Sequence, residues 1–352
     1  MKLKHSTEQQ VLLRILKGEI PSHLNNVNVD GLYNLFQRHR LFPIASEIIH
    51  LLDEKSRGRW KNTIQVHTIR SLHLTSILHK IVGAYKSKGI EAIPLKGPVL
   101  SQRLYGNTGS RHFVDLDILI RGEEIIPIIE IAKGLGLTLR FPKQDLLSNQ
   151  WSYYFRYKKD IGLFWKEHGV FVELHTGIDN YELLDDTEEN PLWEALSEQK
   201  MGSTHFHVMN HGSSFLYMAF HGAFHQYFRL FWLRDVAEAL NSWELDHQKI
   251  LSDARSLGIE RLLGVTLLLT KEYFGIKIPD EYQGYFRSDY GIIQKLSHNC
   301  MKRIRGPEKL SFTGKLNRHY YMLLLKPGLH YKWNVIKSLY HRWYIAEFLG
   351  GH

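Results

Sequence analysis

The sequence predicts an α+β fold: a small mixed β-sheet core flanked by N-terminal and C-terminal helical regions. Three observations predict it. Apolar residues recur at three- and four-residue spacing through residues 8–90. Short β-prone runs then alternate with helical ones over about 89–185. Helical periodicity returns from about Asp186 onward. The order strand, helix, strand, helix, strand argues an α/β or α+β unit of ordinary domain size. The expected organisation is a helical region at 1–88, the core at 89–185, and a helical region at 186–352 with a basic aromatic tail.

The elements follow in chain order. Val11, Leu12, Ile15 and Leu16 mark a first helix, and Leu32, Leu35 and Phe36 a second, with Asp30 as its expected N-cap. A long helix covers Trp60 to Lys88, with Leu74, Leu78, Ile81 and Tyr85 on one face and Lys88-Gly89 at its end. Ile90 to Leu95 reads as a short strand. Lys96-Gly97-Pro98 turns into a helix to about Tyr105, with Pro98 suited to its first position. Residues 106–110 form a Gly-rich loop, and Phe113 to Ile120 a second strand. A helix is expected over Gly122 to Gly134, with Ile125, Ile128, Ile129 and Ala132 on one face. The region from Leu137 to His175 reads as β-rich. Ser213–Tyr227, Leu230–Trp243, Ile250–Phe274 and Thr313–Leu349 read as helical, the last broken at Lys326-Pro327-Gly328. Neither an internal repeat nor a low-complexity linker is evident.

Composition narrows the class. In 352 residues, 43% are hydrophobic and 23% charged, which suits a globular protein with real cores. A single cysteine, Cys300, excludes an intrachain disulfide and a multi-cysteine zinc site. The first residues lack the apolar core of a secretory signal, and no run approaches the roughly 18 apolar residues of a membrane span. A cytoplasmic location is the expectation. The net charge of +9 is concentrated in residues 301–352, which hold ten Lys/Arg against two acids. Basic residues interleaved with Tyr and Trp bind nucleic acid or anionic surfaces in some proteins, and form a solvated helical face in others.

The chemistry centres on Asp115-Leu116-Asp117. In a strand these two carboxylates point to one face. Like charges so close call for a cation between them, and a divalent metal is the usual one. A third carboxylate would complete a two-metal site. Glu173 is the candidate, because it shares a strand face with Phe171 and His175 in an otherwise apolar run, where a carboxylate is costly unless paired. An edge-strand acid facing water is the alternative. Asp-x-Asp also occurs in glycosyltransferases. Here, however, it follows a Lys-Gly turn and a helix start, which together admit a phosphate to free backbone N–H groups. Lys96 and Arg111 would add positive charge. His221 and His225 lie one turn apart on a helix, with Arg229 extending the face. They suit either a metal pair or a polar face lining the cleft between core and helices. Asp235 would pair with Arg229 or Arg234.

These motifs carry a resemblance. Leu95-Lys96-Gly97, Leu100, Tyr105, Arg111, Asp115-Leu116-Asp117 and Glu173-Leu174-His175 resemble a bacterial family of uncharacterised nucleotidyltransferases in the polymerase-β-like superfamily. His221-Gly222-Ala223, His225, Arg229-Leu230, Trp232-Leu233 and Asp235-Val236 match it too, as does Arg38-His39-Arg40 with Pro43. The resemblance implies that Asp115, Asp117 and Glu173 hold Mg²⁺ or Mn²⁺. It implies that Gly97 forms the nucleotide turn, with Lys96, Arg111, His221, His225 and Arg229 toward the nucleotide and its phosphates. The implied activity transfers a nucleoside monophosphate from an NTP to a small-molecule, sugar or peptide acceptor. Two departures stand out: Lys96 precedes the glycine where the superfamily usually has Gly-Ser or Gly-Gly, and Glu replaces the usual third Asp. Alternatives are a sugar or phospho-group transferase acting on a peptide or secondary metabolite, and a non-catalytic nucleic-acid-binding protein.

Overall fold

The structure is a computed structural model, which describes residues 6–143, 145–177, 196–282, 284 and 287–348. It begins with α1 (Thr7–Leu16) and α2 (Val29–His39), followed by the 33-residue α3 (Glu54–Lys86). The core follows as β1 (Ile93–Pro94), α4 (Gly97–Tyr105), β2 (Asp115–Leu119), α5 (Ile125–Gly134), β3 (Leu137–Phe141), α6 (Ser148–Tyr157), β4 (Asp160–Trp165) and β5 (Val170–His175). A hairpin comes next, β6 (Leu196–Met201) and β7 (Thr204–Met209). Helices close the chain: α7 (His211–Phe224), α8 (Phe231–Ser242), α9 (His247–Ser256), α10 (Glu260–Phe274), α11 (Tyr290–Arg305), α12 (Phe312–Leu324) and α13 (Leu329–Phe348).

The main sheet runs β1-β2-β5-β4-β3, so the expected small mixed sheet between helical regions is present. Strands β2 and β5 are parallel and the other pairs antiparallel. Two apolar cores form. One joins α1, α2 and α4 to the C-terminal helices, and the other lies between the sheet, the second half of α3, α5 and α6. The long α3 spans about 50 Å and serves both: Trp60 packs in the first core, and Leu74, Leu78, Ile81 and Tyr85 in the second.

Several local expectations are corrected. Asn28, not Asp30, caps α2, because its side chain accepts from Gly31 N–H at 3.0 Å, while Asp30 pairs with Arg59 at 2.7 Å. Helix α4 starts at Gly97 with Pro98 second, and the first strand shrinks to Ile93–Pro94. The β-rich stretch after Leu137 contains α6, whose aromatic residues read as strand formers but bury Trp151, Tyr154 and Tyr157 at helical spacing. The region from Asp186 is not helical at its described start, which is the β6–β7 hairpin. Its polar residues mask a weak alternation in which Phe206 and Val208 turn inward. Among the described residues, no helix is long and apolar enough to cross a membrane.

Candidate active site

Backbone pairing builds the site. Parallel register sets Asp117 opposite Glu173 and Leu119 opposite His175. On the other side of β2, Leu95 N–H donates to the Asp117 carbonyl at 3.0 Å, which brings the next residue, Lys96, over the same carboxylate. Gly97 then turns into α4 with φ +66°, a conformation that favours glycine. A Cβ there would meet only Leu116 Cδ2 at 3.8 Å and Asp115 O at 4.0 Å, so the backbone angle rather than crowding demands glycine. Lys96 occupies the N-cap without a side-chain cap, leaving the first N–H groups of α4 uncapped by it.

Asp117 is the hub. Its Oδ1 lies 2.9 Å from Lys96 Nζ and 3.0 Å from His175 Nε2. His175 Nδ1 faces Lys159 Nζ at 3.3 Å and Asp160 Oδ2 at 3.9 Å. His175 Nε2 is 3.6 Å from Glu173 Oε2. His175 is thus held between Asp117 and Lys159. Tyr217 of α7 presents its ring 5.9 Å from Lys96 Nζ.

The charges follow from this crowding. Burial alone would raise the Asp117 carboxyl, but Lys96 and His175 hold it well below the usual range. Burial and the neighbouring Asp117 raise Asp115. Burial, then Asp117, Asp160 and Asp115, push Glu173 up to about 8. For Lys96, burial disfavours the ammonium, yet Asp117, Tyr217 and Asp115 outweigh it and raise the group above its ordinary value. Burial and Lys159 lower His175 despite its bond to Asp117.

Asp117, Glu173 and His175 offer donor atoms that all lie within 4.8 Å of one another. Two carboxylates and an imidazole are a fitting set for a divalent cation, and the raised carboxyl of Glu173 is what crowded acids show without one. The sequence expectation named Asp115 in place of His175. Asp115 shares the strand face of Asp117 but stands at its half-exposed end and is not part of this cluster. His175 was legible as a residue two positions beyond Glu173 on one face and as part of the Glu173-Leu174-His175 motif, but not as a ligand. Lys159 and Asp160 gave no sequence signal.

The remaining expected residues divide. Arg111 is buried and donates from Nε to Asp235 Oδ2 at 2.8 Å, while Tyr105 Oη donates to Oδ1 at 2.9 Å. Asp235 thus pairs with Arg111 rather than with Arg229 or Arg234, and Arg234 instead reaches the carbonyl of Ser110 at 2.7 Å. The rings of His221 and His225 lie 4.7 Å apart and flank Trp232 at 5.3 and 5.5 Å. Burial and surrounding cations, Lys96 among them, keep both imidazoles well below their ordinary value. Arg229 does not extend their helix: α7 ends at Phe224, and Gln226 and Tyr227 take positive φ. Arg229 instead pairs with Glu308.

A family model described as "Uncharacterised nucleotidyltransferase" matches residues 25–275. The chain belongs to this nucleotidyltransferase family. The match takes in α2 through α10, and therefore the whole Asp117 cluster and the His221–Asp235 segment. No curated protein and no solved structure matches the chain. Family membership and the Asp117–Glu173–His175 cluster together support metal-dependent nucleotidyl transfer in general terms.

Proposed function

We propose that this nucleotidyltransferase moves a nucleoside monophosphate from an NTP to a hydroxyl or phosphate of a small-molecule, sugar or peptide acceptor. The observation that carries the reading is the parallel register of Asp117 with Glu173, overlaid by Lys96 at the start of α4. Asp117 and Glu173, joined by Asp115 or His175, would hold Mg²⁺ or Mn²⁺. Such an ion supplies charge neutralisation for the phosphates and an oriented attacking oxygen. Lys96 and the uncapped N–H groups of α4 bind anionic oxygens. Glu173, half-buried and opposite Asp117 in the ladder, is suited to take the proton of the acceptor. His175 orients Asp117, and Lys159 orients His175. Arg111, through Asp235, fixes the 106–110 loop against α8. His221 and His225 line the cleft where the nucleotide meets the acceptor. Catalysis in this scheme rests on positioning and charge neutralisation.

The test is binding of ATP, CTP, GTP and UTP in Mg²⁺, followed by release of α-³²P-labelled product with candidate acceptors. At least one nucleotide should bind in a metal-dependent way that Asp117→Asn and Glu173→Gln weaken. If none does, the reading is wrong.

A further inference from the structure

Two aromatic rings, Phe228 just before α8 and Phe231 at its start, each face a pair of guanidinium groups. Phe228 faces Arg229 at 4.8 Å and Arg303 at 4.9 Å. Phe231 faces Arg111 at 5.1 Å and Arg40 at 5.7 Å. Arg111 is committed to Asp235. Arg38 joins the others, donating from Nη2 to the carbonyls of Arg303 at 3.1 Å and Ile304 at 2.9 Å. Arg38, Arg40, Arg229 and Arg303 therefore converge from the end of α2, the turn after α7 and the end of α11.

Their resident counter-charge comes from the loop between α11 and α12. Glu308 pairs with Arg229, and its own carbonyl accepts from Arg303 at 2.6 Å. The acid and base differ in depth: the Arg229 side chain is 19% exposed and that of Glu308 53%. The cations form a recessed floor, and the carboxylate reaches in from a more exposed loop. Glu308 is shared, since it also attracts Arg38, Arg40 and Arg303, and Asp115 attracts Arg40 as well. Donor capacity is unspent as well: among the described residues, Arg38 Nε and Arg229 Nε are buried without a hydrogen-bond partner. Arg40 is the left-handed C-cap of α2 at φ +56°, its N–H bonded to the carbonyls of Gln37 and Phe36. Stacked guanidinium groups are planar forks matched to tetrahedral dianions.

We propose that Arg38, Arg40, Arg229 and Arg303 form a phosphate subsite, with Glu308 standing in the place of the phosphate until it arrives. Arg40 attracts Asp115, and Arg229 lies near enough to His225 to disfavour its charged form. It deepens the nucleotidyltransferase reading and rests on it only for the source of the phosphate, which is either the NTP or a phosphorylated acceptor. Binding exchanges one carboxylate for a more highly charged group, with no covalent step.

Calorimetric titration with inorganic pyrophosphate in EDTA tests it without a metal. Arg229→Gln should weaken binding tenfold or more, and Glu308→Gln should tighten it several-fold. Glu308 lies on an exposed loop, so that arm does not depend on the core tolerating a lost arginine. Equal affinity in wild type and Glu308→Gln, or no binding by either, overturns the subsite. If Glu308→Gln also tightens NTP binding, the subsite takes the nucleotide's phosphates. If only pyrophosphate responds, it takes the acceptor's. A protein that lacks metal-dependent transfer yet keeps the Glu308 effect retains the subsite and loses the transferase reading.

Discussion

Arg111 Nε donates to Asp235 Oδ2 at 2.8 Å across 124 residues of sequence, with both side chains at most 4% exposed. This pair ties the loop before β2 to α8, so the metal-side strand and the C-terminal helices share one buried joint. Removing one partner leaves an uncompensated charge inside. Asp235→Ala should therefore cost about 3–5 kcal/mol in urea unfolding. The double variant Arg111→Met/Asp235→Leu should recover much of that loss, and a double variant no more stable than Asp235→Ala would contradict this account.

Lys96 and a divalent cation compete for the same oxygen of Asp117. Lys96→Met removes the resident charge, so Mn²⁺ should bind about tenfold more tightly, in line with one close charge pair in a partly solvated site. Nucleotide affinity should fall at the same time. Electron paramagnetic resonance of free Mn²⁺ reads the first effect and calorimetry the second. A loss of both affinities together would place Lys96 in a purely structural role.

Glu173 supplies a pH signature. Its folded value is raised from 4.5 to about 8, so the metal-free native state binds a proton that the unfolded chain has lost. The corresponding stability is complete below about pH 4.5 and disappears as pH rises through about 8. The metal-free protein should thus lose melting temperature across that window, and Glu173→Gln should flatten the slope. Metal affinity should move the opposite way, rising up to tenfold per pH unit until about 8, because the ion must displace the proton.

Much of the core could be read from sequence because its signals are local. Asp115, Asp117, Lys96 and Gly97 sit in short motifs whose spacing alone orders them on a strand and a turn. Glu173 and His175 could be placed on one strand face, but not their register against Asp117, which depends on a crossover of some fifty residues between β2 and β5. Arg111 shows the limit of reading charge by residue type: the same guanidinium serves phosphate or a buried acid, and only Asp235, far away in sequence, decides. The hairpin at Leu196–Met209 and helix α6 were illegible for a related reason, since tertiary burial overrides their weak or misleading propensities.

Gly222 offers a test of packing rather than charge. A Cβ there would lie 2.1 Å from Tyr227 Cε1, and Tyr227 is held by Thr266 at 2.7 Å and by its own N–H to Gly222 O at 2.8 Å. The ring has nowhere to go, so Gly222→Ala should cost about 3 kcal/mol, measured as a lower urea midpoint. Gly97→Ala, where the contacts are ordinary but φ is +66°, should cost about 1–2 kcal/mol.

The pairing of Asp117 with Glu173 separates geometry from length. Neighbouring strands stand about 4.8 Å apart whatever joins them. The segment from Ile120 to Gly169, holding α5, β3, α6 and β4, can therefore gain or lose residues at its turns without changing the interval between the two carboxylates. The site's ruler is the pitch of the backbone ladder, and the intervening chain is free to diversify around it.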